Sequence, residues 1–168
     1  MSPADGGAPA SLPTAPRTTT RLTLHLGVVE QPYRAYSENG KGKTLPVTTF
    51  DVAQILERKY GVMQAYYTAH ANEIAHWVED SLAGALESLA MGGKVDPWGS
   101  ATQKIAGGFR QFISSMEAER VGIPGTPTKA ALRGVNRRFK RPYSRKNPRR
   151  PSFRDTGLYM ASVRSWID

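Results

Sequence analysis

The sequence predicts an α+β domain with a long central helix, a small antiparallel sheet, and extended arms at the N-terminus and in a basic segment. Three observations carry this prediction. Apolar residues recur at helical spacing from Val62 to about Met91, they alternate with polar residues from Arg21 to Val29, and Pro and Gly cluster elsewhere. We expect a flexible arm at residues 1–20 and a single domain at residues 21–168, which includes a basic arm at 129–154.

The predicted strand follows directly after the N-terminal arm. Residues 1–20 are rich in Ala, Pro, Gly, Ser and Thr, and they lack the basic and apolar regions of a signal peptide. Leucines then alternate with Thr23 and His25, which is the period of a half-buried strand. Residues 37–46 are turn-rich, and Asn39-Gly40 is the candidate turn of a hairpin.

Two helices are predicted next. Thr48 or Thr49 caps a short helix that Gly61 ends, and its apolar face consists of Val52, Ile55 and Leu56. The long helix ends at Gly92-Gly93. Its apolar positions at helical spacing are Tyr67, Ile74, Val78, Leu82, Leu86 and Leu89.

A third helix is predicted after Asp96-Pro97. It runs to about Arg120 with an interruption at Gly107-Gly108, because glycine weakens a helix interior. Its apolar face consists of Ile105, Phe109, Phe112, Ile113 and Met116.

The remaining chain is predicted to be short helices and turns. Thr126 resembles an N-cap with Pro127 at the first helical position, and the basic helix that it starts ends near Arg141-Pro142. Residues 143–151 contain too many prolines for regular structure, and Asp155 is expected to cap one last turn.

The end of the chain carries a motif that we expect to shape the fold. In the stretch Asp155-Thr156-Gly157-Leu158, the carboxylate can accept hydrogen bonds from nearby backbone amides, and the glycine permits a tight turn. Leu158 and Trp166 are expected to anchor the end of the chain in the core.

Charge is distributed unevenly along the chain. The net charge is +9, and residues 120–154 contain 12 basic and no acidic residues, which leaves 11 basic and 14 acidic residues elsewhere. Such asymmetry indicates an acidic or polyanionic partner. Long cations interleaved with Phe139 and Tyr143 suit a nucleic-acid backbone, but arginines among prolines also form protein interfaces. The candidate partner or nucleic-acid interface residues are Arg133, Arg137, Arg138, Lys140, Arg141, Arg145, Lys146, Arg149 and Arg150.

No enzyme motif is present, and we expect no catalytic, cofactor-binding or metal site. The chain has no cysteine, and its serines lack the glycines of a nucleophile elbow. Residues 37–44 lack the first glycine of a phosphate-binding loop. His70, Glu73 and His76 do not have the spacing of a zinc-binding helix, so we interpret them as polar helix surface. No apolar run approaches the roughly 20 residues of a membrane span, so no membrane partner is expected.

The C-terminal segment resembles a known family. A proline-led basic segment, then Asp155-Thr156-Gly157, Leu158 and a serine before a closing strand, is similar to the C-terminal signature of tailed-phage virion morphogenesis proteins. These include the neck and tail-completion proteins of HK97-type and Mu-like phages. The resemblance is clearest over residues 125–167.

The resemblance implies a structural protein at the head–tail junction of the virion, present in the host cytoplasm during assembly. The expected partners are copies of the same chain in a ring, the portal or connector protein, the tail-tube protein and the packaged DNA of the channel. The roles that the resemblance leaves open are neck, tail terminator and tail completion. The alternative is a nucleic-acid-binding protein that uses the basic arm at 129–154.

Overall fold

The structure, a computed structural model, describes residues 22–33, 47–136 and 139–168. The predicted arm at 1–20 and the candidate turn at Asn39-Gly40 lie outside the described residues. The elements are β1 (Leu24–Val28), α1 (Thr49–Tyr60), α2 (Val62–Ala90), α3 (Gly99–Ser114), α4 (Glu117–Arg120), α5 (Lys129–Leu132), α6 (Leu158–Ser162) and β2 (Val163–Ile167). The α+β class with a long helix and a small antiparallel sheet is confirmed.

The sheet joins the two ends of the described chain. β1 pairs antiparallel with β2, so that Leu24 lies opposite Ile167 and Val28 lies opposite Val163. The aliphatic residues of β1 pack against the core, as their alternation predicted. Val163 is fully buried.

The boundaries of α1 agree with the predicted caps. The Thr48 hydroxyl accepts from the amide of Asp51, whose carboxylate accepts from the amide of Thr48, and this reciprocal capping box fixes the first turn. Gly61 adopts φ 59°, a left-handed conformation that ends the helix. The predicted apolar face is wrong at Ile55, which is exposed, because Ala53 faces the core instead.

The long helix α2 has the predicted bounds, but three of its predicted apolar positions lie outside the core. Tyr67, Leu86 and Leu89 are exposed, whereas Tyr66 and Ile74 are buried. The helix is kinked at His70, whose backbone angles (φ −117°, ψ 15°) are not helical. Ala85 near its C-terminal end is buried, so exposed and buried apolar residues occur along its whole length.

The predicted interruption of α3 at Gly107-Gly108 is wrong. The helix runs unbroken to Ser114, and the break occurs at Met116, which adopts φ 63°. A Cβ atom at Gly108 would collide with the Tyr66 hydroxyl and would lie 3.1 Å from the Trp77 ring. The glycine therefore permits close packing of α3 on α2, and the Tyr66 hydroxyl donates to the Ile105 carbonyl at 3.0 Å.

The predicted N-cap at Thr126 is also wrong. The hydroxyl of Thr126 donates to the Ile123 carbonyl at 2.6 Å, which takes it away from the following helix. Thr128 caps α5 by accepting from the amide of Ala131 at 3.2 Å. The helix ends at Leu132 rather than near Arg141.

The C-terminal motif forms a turn, as expected, but with different roles for two residues. Gly157, at φ 83°, is the N-cap of α6 in place of Asp155, and the Thr156 hydroxyl accepts from the Leu158 amide at 3.3 Å. Trp166 is 46% exposed and stacks on His25, so it does not anchor the core. Tyr159 of α6 and Val163 of β2 are buried instead, and Leu158 is only partly buried. Trp166 is exposed because residues of β2 alternate, and its even-numbered residues face outward.

Candidate functional site

We call residues 129–154 the basic loop. Its described residues form the short helix α5 followed by a series of turns, instead of an extended arm. The amide of Asn136 donates to the Pro142 carbonyl at 3.1 Å. The side-chain amide of Asn147 donates to the carbonyls of Arg141 and Pro142, both at 3.0 Å. These hydrogen bonds close the loop on itself, because the prolines leave its carbonyl groups without helical partners.

Gly134 brings the two halves of the basic loop together. It adopts φ 63°, and a Cβ atom there would lie 2.6 Å from the Asn147 carbonyl oxygen. The amide of Arg150, near the end of the loop, donates at 3.2 Å to the carbonyl of Ala131 in α5, at its beginning. Only a residue without a side chain fits at this crossing.

A buried carboxylate anchors the end of the loop to α4. The Glu119 side chain is 6% exposed, and it accepts from the amide of Ser152 at 2.9 Å and from its hydroxyl at 2.8 Å. Arg149 also donates to this carboxylate. Burial raises the pKa of Glu119, but the Ser152 donors and Arg149 outweigh it and hold the pKa below its ordinary value.

The Arg150 side chain forms its hydrogen bonds inside the loop. Its guanidinium donates to the carbonyls of Val135, Pro151 and Arg154. Burial lowers the pKa of Arg150, and nearby Asp155 opposes that shift. Arg149 and Arg150, both predicted interface residues, therefore hold the loop in shape.

Five other predicted interface residues project outward. Their side chains are exposed and form no ion pair with any residue in the described part of the chain: Arg133, Lys140, Arg141, Arg145 and Lys146. Arg137 and Arg138 lie outside the described residues. Tyr143, 68% exposed, projects among these cations together with Leu132 and Phe139. A recess of about 500 Å³ lies between Arg133, Tyr143 and Arg145.

The chain also presents a surface of opposite charge. The helix α2 carries four exposed carboxylates and neither Lys nor Arg: Glu73, Glu79, Asp80 and Glu87. Beside them, Leu86, Leu89 and Met91 are exposed at the end of the helix. We call these three residues the apolar stripe. An exposed apolar strip rimmed by carboxylates is typical of a protein interface.

The histidine pattern of α2 does not form a cluster. His70 is mostly buried, which corrects the interpretation of this residue as polar helix surface. Its Nδ1 lies 2.8 Å from a Glu73 oxygen, and its Nε2 lies 3.2 Å from a Glu117 oxygen without hydrogen-bond alignment. His76 faces Asp80 instead. Among the described residues, no group of three side chains is arranged to hold a metal ion.

No family model, curated protein or solved structure matches the chain. The described helices include none that is long and apolar enough to cross a bilayer. Function is therefore inferred from the C-terminal resemblance and from the chemistry of the two charged surfaces.

Proposed function

We propose that this protein is a structural component of a tailed-phage virion at the head–tail junction, where copies of it assemble as a ring that joins the connector to the tail. The observation that carries the proposal is the basic loop. Its internal hydrogen bonds, with the anchor at Glu119, fix its shape, while five cations and three apolar residues remain outside. The C-terminal resemblance supplies the context of the virion.

The loop and α2 have complementary chemistry. Identical subunits in a ring meet through different patches, so one patch must fit another patch of the same chain. The cations of the basic loop complement the carboxylates of α2, and Leu132, Phe139 and Tyr143 complement the apolar stripe. Charge complementarity selects the partner and the orientation, while apolar contact supplies the affinity.

The test is a charge reversal that leaves the fold intact. The loop variant replaces Arg133, Lys140 and Arg145 with Glu, since these side chains have no internal role in the described part of the chain. We expect the wild type to form a salt-tolerant, nuclease-resistant oligomer by light scattering and the loop variant to lose it. Equal masses for both proteins would refute the proposed contact.

A matched control distinguishes the effect of where the charges are reversed from the effect of how many are reversed. The control variant also replaces three exposed basic residues with Glu, but outside the loop: Arg58, Lys59 and Lys94. We expect it to keep the mass of the wild type. Loss of the oligomer in both variants would mean that net charge, and not the basic loop, controls assembly.

The exposed cations around Tyr143 also favour a second function, nucleic-acid binding. Aromatic rings among cations stack on bases while the cations neutralise phosphates. Affinity for duplex DNA would then fall with salt, with a logarithmic slope near −0.9 per neutralised phosphate. A monomer that gains mass only with nuclease-sensitive material would favour this function over the ring. The two functions are compatible, because a ring in the neck surrounds the DNA channel.

A further inference from the structure

Among residues 22–33, 47–136 and 139–168, no strand or helix covers the outer edge of β1 in the sheet. Thr23 and Asp168 exchange two backbone hydrogen bonds, and the Val29 amide donates to the Ser162 carbonyl. In an antiparallel ladder such pairs occur at every second residue, so the odd-numbered residues of β1 bond to β2. The backbone groups of Leu22, Leu24 and Leu26 point to the opposite side. Within the described part of the chain they have no hydrogen-bond partner there.

An apolar groove runs along this open edge. It has a volume of about 790 Å³ and lies between β1 and the first half of α2, where Tyr67, Ala71 and Val78 line it. Leu22 is 51% exposed at its rim. By contrast, α3 covers the outer edge of β2, where Arg110 donates to the Val163 carbonyl at 2.8 Å.

Open edges in monomeric proteins usually carry a lysine, a proline or a bulge that prevents pairing. The segment Leu22–Val28 carries none of these. Its outward backbone groups belong to three leucines at alternate positions and to Val28, whose side chains share one face of the strand. An antiparallel copy centred on the middle leucine therefore places leucine opposite leucine at all three leucine positions, without a charge.

We propose that this edge pairs with the same edge of a second copy of the chain, antiparallel and centred on Leu24. Leu22 then lies opposite Leu26 of the second copy, and Leu24 lies opposite itself. The pairing produces a continuous four-stranded sheet, and the leucines of each copy enter the groove beside α2. It satisfies the backbone groups of the edge and covers its apolar surface in one step.

The strand contact is separate from the proposed ring. It uses β1, whereas the ring contact uses the basic loop and the apolar stripe. A contact between identical patches is complete with two copies, so by itself it gives a dimer. Together with a ring contact it would place two rings back to back.

Disulfide formation tests the register. The chain has no cysteine, so an introduced thiol is unique. In the Leu24→Cys variant the two thiols face each other with Cα atoms about 5.5 Å apart, within the range that a disulfide bridges. In the Leu26→Cys control the same atoms lie roughly 14 Å apart, which is too far. Mild oxidation should therefore link Leu24→Cys into a dimer and leave Leu26→Cys as single chains.

A proline variant tests the backbone contact without oxidation. Leu24→Pro removes an amide hydrogen that β2 does not use and puts the ring on the open edge, while Leu24→Ala loses similar side-chain volume and keeps the amide. We expect the strand contact to be lost in Leu24→Pro and retained in Leu24→Ala. Circular dichroism should show that both variants are folded.

Each other outcome overturns the proposal. A dimer that persists in folded Leu24→Pro places the contact elsewhere. Linkage of Leu26→Cys in place of Leu24→Cys means a different register. The absence of linkage in both variants, with a wild type that is monomeric at every concentration, means that a second copy does not occupy this edge.

Discussion

Replacement of Glu119 by Ala is expected to release the end of the basic loop. The carboxylate is almost fully buried and accepts three hydrogen bonds, from the amide and hydroxyl of Ser152 and from Arg149. The Ser152 hydroxyl in turn accepts from the amide of Thr128 at 3.0 Å. One side chain therefore links α4 to the residues on both sides of the loop.

The cost of the Glu119→Ala change can be worked from these contacts. A hydrogen bond to a charged group contributes about 1.5–3 kcal/mol, and a buried donor without a partner costs about 1–3 kcal/mol. Removing the carboxylate also removes the free-energy cost of burying its charge, which offsets part of the lost hydrogen-bond energy. We expect the free energy of unfolding to fall by roughly 3 kcal/mol, or the melting temperature by about 10 °C.

Urea unfolding followed by circular dichroism measures this change. The control is Arg149→Ala, which removes only the half-exposed partner and should cost less than about 1 kcal/mol. If Glu119→Ala and Arg149→Ala reduce the free energy of unfolding by the same small amount, the loop is not anchored through the buried carboxylate and the reasoning is wrong.

Three further predictions concern stability and pH. Folding lowers the pKa of Glu119, so the ionised carboxylate stabilises the fold fully above its ordinary pKa of 4.5, and this stabilisation is lost as pH falls through the folded pKa. The difference in the free energy of unfolding between wild type and Glu119→Ala should therefore shrink in acid. Gly108→Ala should cost about 1–3 kcal/mol in thermal unfolding through its clash with Tyr66, while Gly107→Ala, which meets no atom, should be neutral or stabilising; equal effects would argue against close packing. Thr49→Val should cost about 1–3 kcal/mol in urea unfolding, because the buried hydroxyl accepts from the Gln31 amide and donates to the Val29 carbonyl, which ties α1 to the end of β1; an unchanged midpoint would contradict this.

The sequence predicted the elements whose signals are local. The N-cap at Thr48 or Thr49, the end of α1 at Gly61 and the alternation in β1 depend on residues within a few positions of each other, and all three predictions are confirmed. The predictions failed where a distant contact decides. A glycine pair inside a helix predicts a break, but Gly108 packs against Tyr66 and Trp77 of another helix, and nothing near it in the sequence indicates that contact.

The buried face of α2 illustrates the same limit. Helical spacing identified apolar residues along its whole length, but spacing does not tell how far the core extends. Ile74 belongs to the core cluster and Ala85 is also buried, whereas Leu86 and Leu89 are exposed. An apolar position at correct spacing is therefore compatible with the core or with an interface.

The charge of the sequence predicts the basic segment, but it does not distinguish the basic residues that bond inside the loop from those that are exposed. The absence of carboxylates in residues 120–154 predicted an exposed polycation. Glu119 is the residue just before that stretch, and it pairs with Arg149 across 30 positions. The signal that could have found the anchor is the last glutamate before the run of basic residues, and only the fold identifies its partner.

The fixed shape of the loop affects how it meets a partner. A free polycationic tail loses conformational entropy when it binds, and this loss reduces its affinity. In the basic loop, the contacts of Gly134, Arg150 and Glu119 already order the chain during folding, so little conformational entropy is left to lose on binding. An external anion or carboxylate would relieve the mutual repulsion of the remaining cations. We therefore expect partner binding to depend on salt and to leave the helix content unchanged, whereas a tail that folds on binding would gain helix.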